Sequence, residues 1–441
     1  MCYGWAVEVN AKHPAYLAAE GQWRRARAVL AGEDAVKAGG EDYLARLDGQ
    51  SDGEYKAYVG RACFFGASAR TLEEYLDLVF RRRPELQLGS DGRLGSFVGD
   101  CDGLGTSLID YCGRVLREVL SVGRAVSLVM SDGGDGAVVR MFRAEDVLNW
   151  RTATVDGQVG VVWVLLRDGD ERIVVSVDVD GCYMATFRPG GDGQWERAGE
   201  RGMVRRLGVP IGFVPLVVHG AVGGSVEPGR LPLGDIISAN LDLYRLDADY
   251  KHGLHFAALP TAWVSGFDGA GNLKIGSATA WESSSEGAKA GFLEFSGAGL
   301  AHIEKAIERT ERRMALLGAR MLEAGGAVPD GSGVRRGEMC GLGSLVGVVS
   351  QSLTRVLRLA RWWMVGDAVG AEGVSVRLNG NLGSRRLSGD EINALVGAWK
   401  GGAISRESML DALRLGEVLP DGRTVAEERA LIHRVAGVTG N

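Results

Sequence analysis

The sequence lacks the patterns that mark membrane-spanning and secreted proteins. No apolar run reaches the roughly 18 residues that a membrane-spanning helix needs. The N-terminus has no basic start followed by an apolar core, so no secretory signal is expected. The six cysteines of the 441-residue chain are far apart and form no CxxC pair, which excludes the usual zinc and thiol-redox motifs. We therefore expect reduced thiols, made in a cytosol and mostly buried as small apolar side chains.

The common signatures of catalysis and of cofactor binding are also missing. The chain contains no GxxxxGK[ST] loop, no HExxH and no GxSxG. His252 and His255 are three residues apart, but no third ligand is evident nearby, so a structural or interface role is favoured over a metal site. The sequence predicts no metal, no cofactor and no enzyme activity. An enzyme whose site is assembled from distant residues stays open as an alternative.

Charge and glycine content indicate a folded protein without strong affinity for polyanions. The formal net charge is -6 at pH 7, whereas proteins that hold nucleic acid tightly are normally basic. The hydrophobic content of 46% and the charged content of 24% are those of a folded chain with a substantial core. The 67 glycines follow no triplet repeat, which excludes collagen and favours many loops and turns.

Two amphipathic helices organise the chain. Residues 300–322 carry apolar side chains at steps of three, four and seven, and charged residues elsewhere. Glu308 and Arg312 have the favourable order for an ion pair four residues apart. Residues 233–259 repeat the apolar steps, again with acidic residues on other faces. Such a narrow stripe favours packing beside like helices, in the same chain or in a neighbouring copy; the alternative is an ordinary surface helix. The apolar positions are Leu300, Ile303, Ile307, Met314, Leu317 and Met321 in one helix, and Ile236, Ala239, Leu243, Leu246, Tyr250 and Leu254 in the other.

The rest of the sequence predicts an α+β body and a helical tail. About forty residues rich in Gly, Ser and Thr separate the two helices, so the order is helix, compact mostly-β excursion, helix. Before them, helical patterns give way to strand-like runs separated by Asp-Gly turns. After them come a glycine-rich loop, a long helix over 342–365 and one strand. Three helices follow, and two of them begin at capping boxes, Ser388 with Glu391 and Thr424 with Glu427.

Six long blocks of the sequence carry a resemblance to a known family. They read HPAYLAAEGQWRRARAVLAGEDAVKAGGEDYLARLDGQSDGEYKAYVGRACFFGASARTLEEYLDLVFRRRPEL, GTSLIDYCGRVLREVLSVGRAVSLVMSD, RAEDVLNWR, DADYKHGLHFAALPTAWVSG, AGFLEFSGAGLAHIEKAIERTERRMALLGARML and LVGAWKGGAISRESMLDALRLGEVLPDG. Together they run over most of the chain. In these blocks the chain resembles tailed-bacteriophage portal proteins, and more narrowly the phage and prophage group formerly labelled a domain of unknown function.

The resemblance implies an α+β, portal-type subunit with a wing, a two-helix stem, a small mostly-β clip and an α-helical crown. The implied bounds are 1–233 and 339–387 for the wing, 234–259 and 300–323 for the stem helices, 260–299 for the clip, 324–338 for the tunnel loop and 388–441 for the crown.

The same resemblance implies a dodecameric ring at one capsid vertex, with a channel for packaging and ejecting double-stranded DNA. The implied partners are other copies of the chain, double-stranded DNA in transient non-specific contact, the terminase large subunit, the head–tail adaptor, the major capsid protein and the scaffold, with no membrane. The implied location is the virion, after assembly in the bacterial host cytoplasm. Another ring-forming structural protein of the neck, such as an adaptor, is the alternative.

Three sets of candidate site residues follow from this layout. Arg335 and Arg336 are expected near the channel constriction, where they can touch phosphate; the alternative is that they are solvated loop cations. Acidic residues of the first stem helix are expected to line the channel and discourage tight DNA binding: Asp235, Asp242, Asp247 and Asp249. Residues of the clip are expected to contact partners, with the alternative that one of the tryptophans fills the clip's own core: Trp263, Phe267, Lys274, Trp281 and Lys289.

Overall fold

The computed structural model has an α+β fold that divides into two compact units. The first unit consists of residues 1–27, 70–234 and 318–441, and the second of residues 28–69 and 235–317. The structure describes residues 9–89, 92–155, 157–191, 193–258, 261–266, 285–293, 299–323, 341–365, 373–380, 382, 387–416, 418–420, 423 and 425–438. In this part of the chain, no helix is both long enough and apolar enough to cross a membrane.

The predicted alternation of helical and strand-rich regions is present. The helices are α1 (Pro14–Ala31), α2 (Glu33–Ala38), α3 (Asp52–Arg61), α4 (Ala67–Phe80), α5 (Leu94–Gly99), α6 (Leu108–Val122), α7 (Gly234–Ala258), α8 (Leu300–Glu323), α9 (Leu342–Val365), α10 (Gly389–Lys400), α11 (Arg406–Leu415) and α12 (Val425–Val438). The strands are β1 (Glu85–Leu88), β2 (Arg124–Ser131), β3 (Ala137–Arg143), β4 (Val147–Val155), β5 (Gln158–Asp168), β6 (Glu171–Asp178), β7 (Gly181–Pro189), β8 (Trp195–Arg197), β9 (Gly202–Met203), β10 (Arg205–Arg206), β11 (Val209–Pro210), β12 (Leu216–Gly220), β13 (Thr261–Ser265), β14 (Lys289–Leu293) and β15 (Val374–Arg377).

Antiparallel sheets form the framework of the first unit. One sheet has the order β12-β2-β3, and a larger one has the order β4-β5-β6-β7-β8, with β9 also paired to β7. In the smaller sheet Val126 pairs with Phe142 on one side and with Val218 on the other, and all three are buried. The helix α9 covers this sheet with a buried apolar face that includes Val349, Leu353 and Val356 in the middle of the helix.

The turn between α6 and β2 shows why a glycine closes the helix, as the sequence predicts. Gly123 adopts φ 80, in the left-handed region that favours glycine. A Cβ atom at this position would lie 2.9 Å from the carbonyl oxygen of Arg230. Because both the backbone conformation and the available space exclude a side chain, Gly123 fixes the path of the chain into the buried strand β2.

The helical tail has its own apolar cluster. Met409, Leu410 and Leu413 of α11 are buried there. The predicted capping box at the start of α10 is present: the Glu391 N–H donates to Ser388 Oγ at 3.3 Å, and the Ser388 N–H donates to Glu391 Oε2 at 2.8 Å. The second predicted box, at Thr424, lies outside the described residues.

A chain of buried polar side chains joins α6, β2, β12 and α9. His219 is fully buried, with Nε2 2.6 Å from Ser127 Oγ and Nδ1 2.7 Å from Ser352 Oγ. Tyr111 continues the chain through its hydroxyl contact with Ser127. Burial, with a smaller contribution from the charge of Arg355, lowers the pKa of His219 to about 3. The imidazole is therefore neutral in the folded protein at neutral pH.

This burial predicts that the first unit loses stability as the pH falls. An unfolded histidine has a pKa of about 6.5, so between that pH and about 3 the unfolded state binds the extra proton. The contribution of neutral His219 to the free energy of unfolding is fully present above pH 6.5. It is lost as the pH falls, by at most about 1.4 kcal/mol for each pH unit. Urea unfolding of the His219→Asn variant should show a shallower loss between pH 7 and pH 5 than the wild type. The exposed control His433→Asn should retain the wild-type slope. Equal slopes in the wild type and the His219→Asn variant would contradict this account.

Candidate functional site

The second unit contains the helix–β–helix order that the sequence predicts. The helix α7 has 25 residues and α8 has 24, so at 1.5 Å per residue they extend over about 37 Å and about 36 Å. Between them, β13 and β14 pair antiparallel, from Thr261 opposite Leu293 to Ser265 opposite Lys289. The residues at the centre of the excursion, 267–284, lie outside the described residues.

The hairpin brings one end of each helix to the same place. Thr261 follows shortly after α7, and its partner Leu293 shortly precedes α8, so the pairing closes the excursion at its base. Gly253, in the last turns of α7, packs against the first residue of α8: a Cβ atom there would lie 2.6 Å from Leu300 Cδ2. A side chain at Gly253 would require the Leu300 side chain to move, so the start of α8 lies directly against this part of α7.

The predicted amphipathic character of α8 is confirmed over its described side chains. Met314 is buried at 7% exposure, while Ile303 and Ile307 are half-buried. Glu308 and Arg312 form the predicted ion pair, with 3.0 Å between Oε2 and Nη2. The side chain of Met321, the last predicted apolar position, lies outside the described residues. The charged positions that the sequence predicts for the outer faces are exposed: Glu304, Lys305, Glu308, Arg309, Glu311, Arg312 and Arg313.

The apolar surface of α7 is wider than the narrow stripe that the sequence predicts. Ile236, Ala239 and Leu243 are buried as expected, but Leu241 and Tyr244 on other faces are buried as well. This happens because residues 28–69 belong to the same compact unit and cover a second face of the helix. Toward its C-terminal end α7 becomes exposed.

Asn240 fastens α7 to the chain that precedes α4. Its side chain is fully buried, and Oδ1 accepts hydrogen bonds from the N–H of Ser68 at 3.0 Å and from Ser68 Oγ at 2.9 Å. Its Nδ2 donates to the carbonyl oxygen of Phe65 at 2.7 Å. Asn240 thus satisfies two buried polar groups of Ser68, one of which is an N–H of the first turn of α4, and a half-buried carbonyl of Phe65.

Two of the four acidic candidates of α7 bind the same neighbouring segment. Asp247 Oδ2 accepts from the N–H of Cys63 at 2.6 Å. Asp249 Oδ1 accepts from the hydroxyl of Tyr58 at 2.5 Å. Burial and this hydrogen bond raise the pKa of Tyr58 well above its ordinary value. Both carboxylates therefore hold residues 58–63 against the helix.

The other two acidic candidates are exposed. Asp242 forms an ion pair with Arg245 one turn further along, with 3.2 Å between Oδ1 and Nη1. Asp235 lies in the first turn of the helix, where a carboxylate is favoured by the helix dipole. A place for these acids in a channel wall stays a prediction.

Of the candidate partner contacts, the structure describes Trp263 and Lys289. The Trp263 indole lies across Gly291 of the facing strand, where a Cβ atom would be 2.9 Å from Nε1, and it leaves 38% of the residue exposed. Lys289 is exposed on β14, opposite Ser265. The remaining candidates lie outside the described residues: Phe267, Lys274, Trp281, Arg335 and Arg336.

Exposed apolar side chains occur on both helices and on the hairpin, a feature that the apolar periodicity of the sequence does not reveal. The most exposed are Leu254 at 41% and Phe256 at 53% on α7, Phe292 at 57% on β14 and Leu316 at 51% on α8. Large apolar residues exposed along a single unit commonly mark a protein–protein contact.

The histidine pair singled out in the sequence packs at the same end of α7. The rings of His252 and Phe256 are 4.7 Å apart, and Arg61 Nη2 lies 3.1 Å from His252 Nδ1. Burial and the nearby Arg61 lower the pKa of His252. Among the described residues, no cluster of histidine, cysteine and acidic side chains could hold a metal ion.

The contact of Asn240 predicts a large effect of removing its amide. The Asn240→Ala variant leaves the buried Ser68 N–H without its acceptor and removes one of the donors to the Phe65 carbonyl, which should lower the free energy of unfolding of the second unit by about 1–3 kcal/mol. Urea unfolding measures this loss. The exposed control Asp242→Ala should change the same quantity by at most about 0.5 kcal/mol. A loss no larger than that of the control would exclude the proposed role of Asn240.

A known protein family matches the part of the chain that contains the two long helices and the hairpin. A family described as "Domain of unknown function (DUF4055)" matches residues 232–364, which contain α7, the hairpin, α8 and nearly all of α9. The match agrees with the resemblance of the sequence to the phage portal group that carried such a label. No curated protein matches the chain.

Solved structures with some likeness to the chain come from gene transfer agent (GTA) particles. A chain of the neck of an empty GTA particle computed with C6 symmetry is 14% identical, with 80% of this chain and 90% of that chain covered and a TM-score of 0.40. A chain of the virion of a native GTA particle is 15% identical, with 89% of this chain and 99% of that chain covered and a TM-score of 0.40. A chain of the neck of the native GTA particle computed with C12 symmetry is 13% identical, with 79% of this chain and 89% of that chain covered and a TM-score of 0.41. A likeness of this degree does not by itself assign a function.

Proposed function

We propose that this chain is a portal protein, which forms a dodecameric ring at one capsid vertex and passes double-stranded DNA through the ring during packaging and ejection. The observation that carries the proposal is the joining of two long helices at one end by a paired β-hairpin. The portal resemblance of the sequence includes this segment, and the matched family model covers it.

The surface of the second unit supports assembly with other copies of the chain. Leu254, Phe256 and Leu316 expose apolar side chains along the two helices, and Phe292 does so on the hairpin. Covering these side chains removes apolar area from water, which favours association. When identical subunits associate head to tail and the rotation closes, the product is a ring with the same element of every copy around the axis.

The net charge of the chain suits a channel through which DNA slides. Twelve copies with a net charge of -6 each would carry a charge on the order of -70, which disfavours tight binding of a duplex. Asp235 and Asp242 are the exposed acidic residues of α7 that we place on the channel wall; Asp249 is exposed too, but its carboxylate accepts a hydrogen bond from Tyr58. Asp247 and Asp249 are engaged by Cys63 and Tyr58, and so we assign them to the stability of the stem.

We assign the excursion between the helices to partner binding. Trp263 and Lys289 are exposed on its hairpin, and Phe267, Lys274 and Trp281 lie between them in the sequence. In this proposal the terminase large subunit binds there during packaging and the head–tail adaptor binds afterwards. The major capsid protein and the scaffold surround the rest of the ring, which is assembled in the host cytoplasm and retained in the virion.

The size of the purified protein tests the proposal. Twelve copies of the 46.9 kDa chain would weigh about 560 kDa, and native mass spectrometry over a dilution series should find an assembly in that range. Negatively stained particles viewed down the axis should show a central opening. A protein that remains a monomer or a dimer at all concentrations would refute the portal assignment.

Removing the two loop cations should affect the genome and not the ring. The double variant Arg335→Ser, Arg336→Ser loses two phosphate-binding groups in each copy, so we expect altered packaging or poorer genome retention with an unchanged assembly mass. The DNA content of particles assembled with the variant measures this. The control variant Arg197→Ser, Lys400→Ser, which removes two exposed cations elsewhere, should package normally. Normal packaging and normal retention in both variants would leave the two arginines as solvated loop residues.

A further inference from the structure

The described surface of α8 separates into an apolar, an acidic and a basic face. With 3.6 residues per turn, the positions of each set fall on one side of the helix, and each set covers roughly a third of the circumference. The apolar face contains Ile303, Ile307, Met314 and Leu317. The acidic face contains Glu304, Glu308 and Glu311. The basic face contains Lys305, Arg309 and Arg313.

This separation of charge is unfavourable for a helix that only faces water. Like charges four residues apart destabilise a helix, and α8 has such pairs at Glu304 with Glu308, at Lys305 with Arg309, and at Arg309 with Arg313. A solvated helix gains more by alternating signs, as Glu308 and Arg312 do. In the described part of the chain, that pair is the one ion pair formed by a side chain of α8. The arrangement therefore indicates that each charged face has a partner outside the chain.

We propose that the acidic face of α8 in one copy binds the basic face of α8 in the next copy. The two faces have opposite charge and both are exposed, so the surface is complementary to itself in a head-to-tail contact. Met314 is buried on the third face, which leaves the two charged faces for the two neighbours of a ring.

The heights of the charges along the helix fit this contact. Rotation about a ring axis keeps equivalent residues of all copies at the same level. Each acidic residue lies one or two positions before a basic residue in the sequence: Glu304 before Lys305, Glu308 before Arg309, and Glu311 before Arg313. Opposite charges therefore differ in height along the helix by about 1.5 to 3 Å. Lysine and arginine side chains easily bridge such an offset. The contact rests on the proposed ring, and it specifies which side chains bind neighbouring copies.

Charge reversal on one face at a time tests the contact. The variant Arg309→Glu, Arg313→Glu makes both faces acidic, and the variant Glu304→Arg, Glu311→Arg makes both basic. Each should raise the concentration at which half of the chain is assembled by about tenfold or more, because like charges then meet at every interface. The four substitutions combined in one chain should restore assembly, and so should mixing the two variants. Assembly is measured by native mass spectrometry and sedimentation, with circular dichroism to verify helix content.

A matched control distinguishes this contact from a general effect of net charge. The variant Arg197→Glu, Lys400→Glu lowers the net charge on exposed residues elsewhere by the same amount as Arg309→Glu, Arg313→Glu, and it should assemble as the wild type does. If the wild type forms rings and both one-face variants form them equally well, the contact is refuted while the portal proposal stands. If the wild type forms no ring, the portal proposal itself fails. If the variants assemble normally but retain DNA poorly, the basic face binds phosphate and not a neighbouring copy, which also refutes the contact.

Discussion

The structure of the second unit depends on the pairing of β13 with β14. That pairing fixes the end of α7 beside the start of α8, so two helices of nearly equal length leave the same point. Neither helix can bury all of its surface in this arrangement, because two rods joined at one end have outer faces that remain in water. The exposed apolar and charged side chains of this unit follow from that constraint, and they are the part of the molecule that we propose other copies cover.

Polar contacts hold α7 against residues 58–68 of the same unit. A buried amide at Asn240 and the carboxylates of Asp247 and Asp249 bind the segment that leads into α4. The Asn240 bond to the Ser68 N–H is buried and is therefore the most costly to disrupt, while the Asp249 bond is part-buried and the Asp247 bond is exposed. A ring whose opening must keep its shape while DNA moves needs such a support behind the helices. The proposed ion pairs of α8 would then bind the supported stems to each other.

The sequence predicts α8 well because its pattern is local. The apolar steps and the Glu308–Arg312 pair depend only on helical periodicity, and both are present. The glycine that ends α6 was predictable for the same reason, since a residue in the left-handed region after an apolar helix is usually glycine. The strand β4 is harder to predict, because a bulge at Leu148 breaks the alternation of its side chains.

Other features depend on residues far apart in the chain and could not be predicted. The width of the buried surface of α7 is set by residues 28–69, so a stripe counted along α7 alone underestimates it. The same holds for the acids of α7: composition suggested four equivalent channel residues, but Asp247 and Asp249 bind residues 58–63, whereas Asp242 pairs with Arg245 on its own helix. The three faces of α8 could have been found in the sequence, by treating acidic and basic positions separately instead of grouping them as one polar surface.

A three-dimensional image of the assembled protein by electron cryomicroscopy tests the central claim most directly. The account predicts a closed ring in which α7 and α8 of every copy surround an axial opening wide enough for a DNA duplex, with the hairpin ends together on one side. A structure in which these helices lie inside a separate globular subunit, with the hairpin buried and no opening on any symmetry axis, would contradict it.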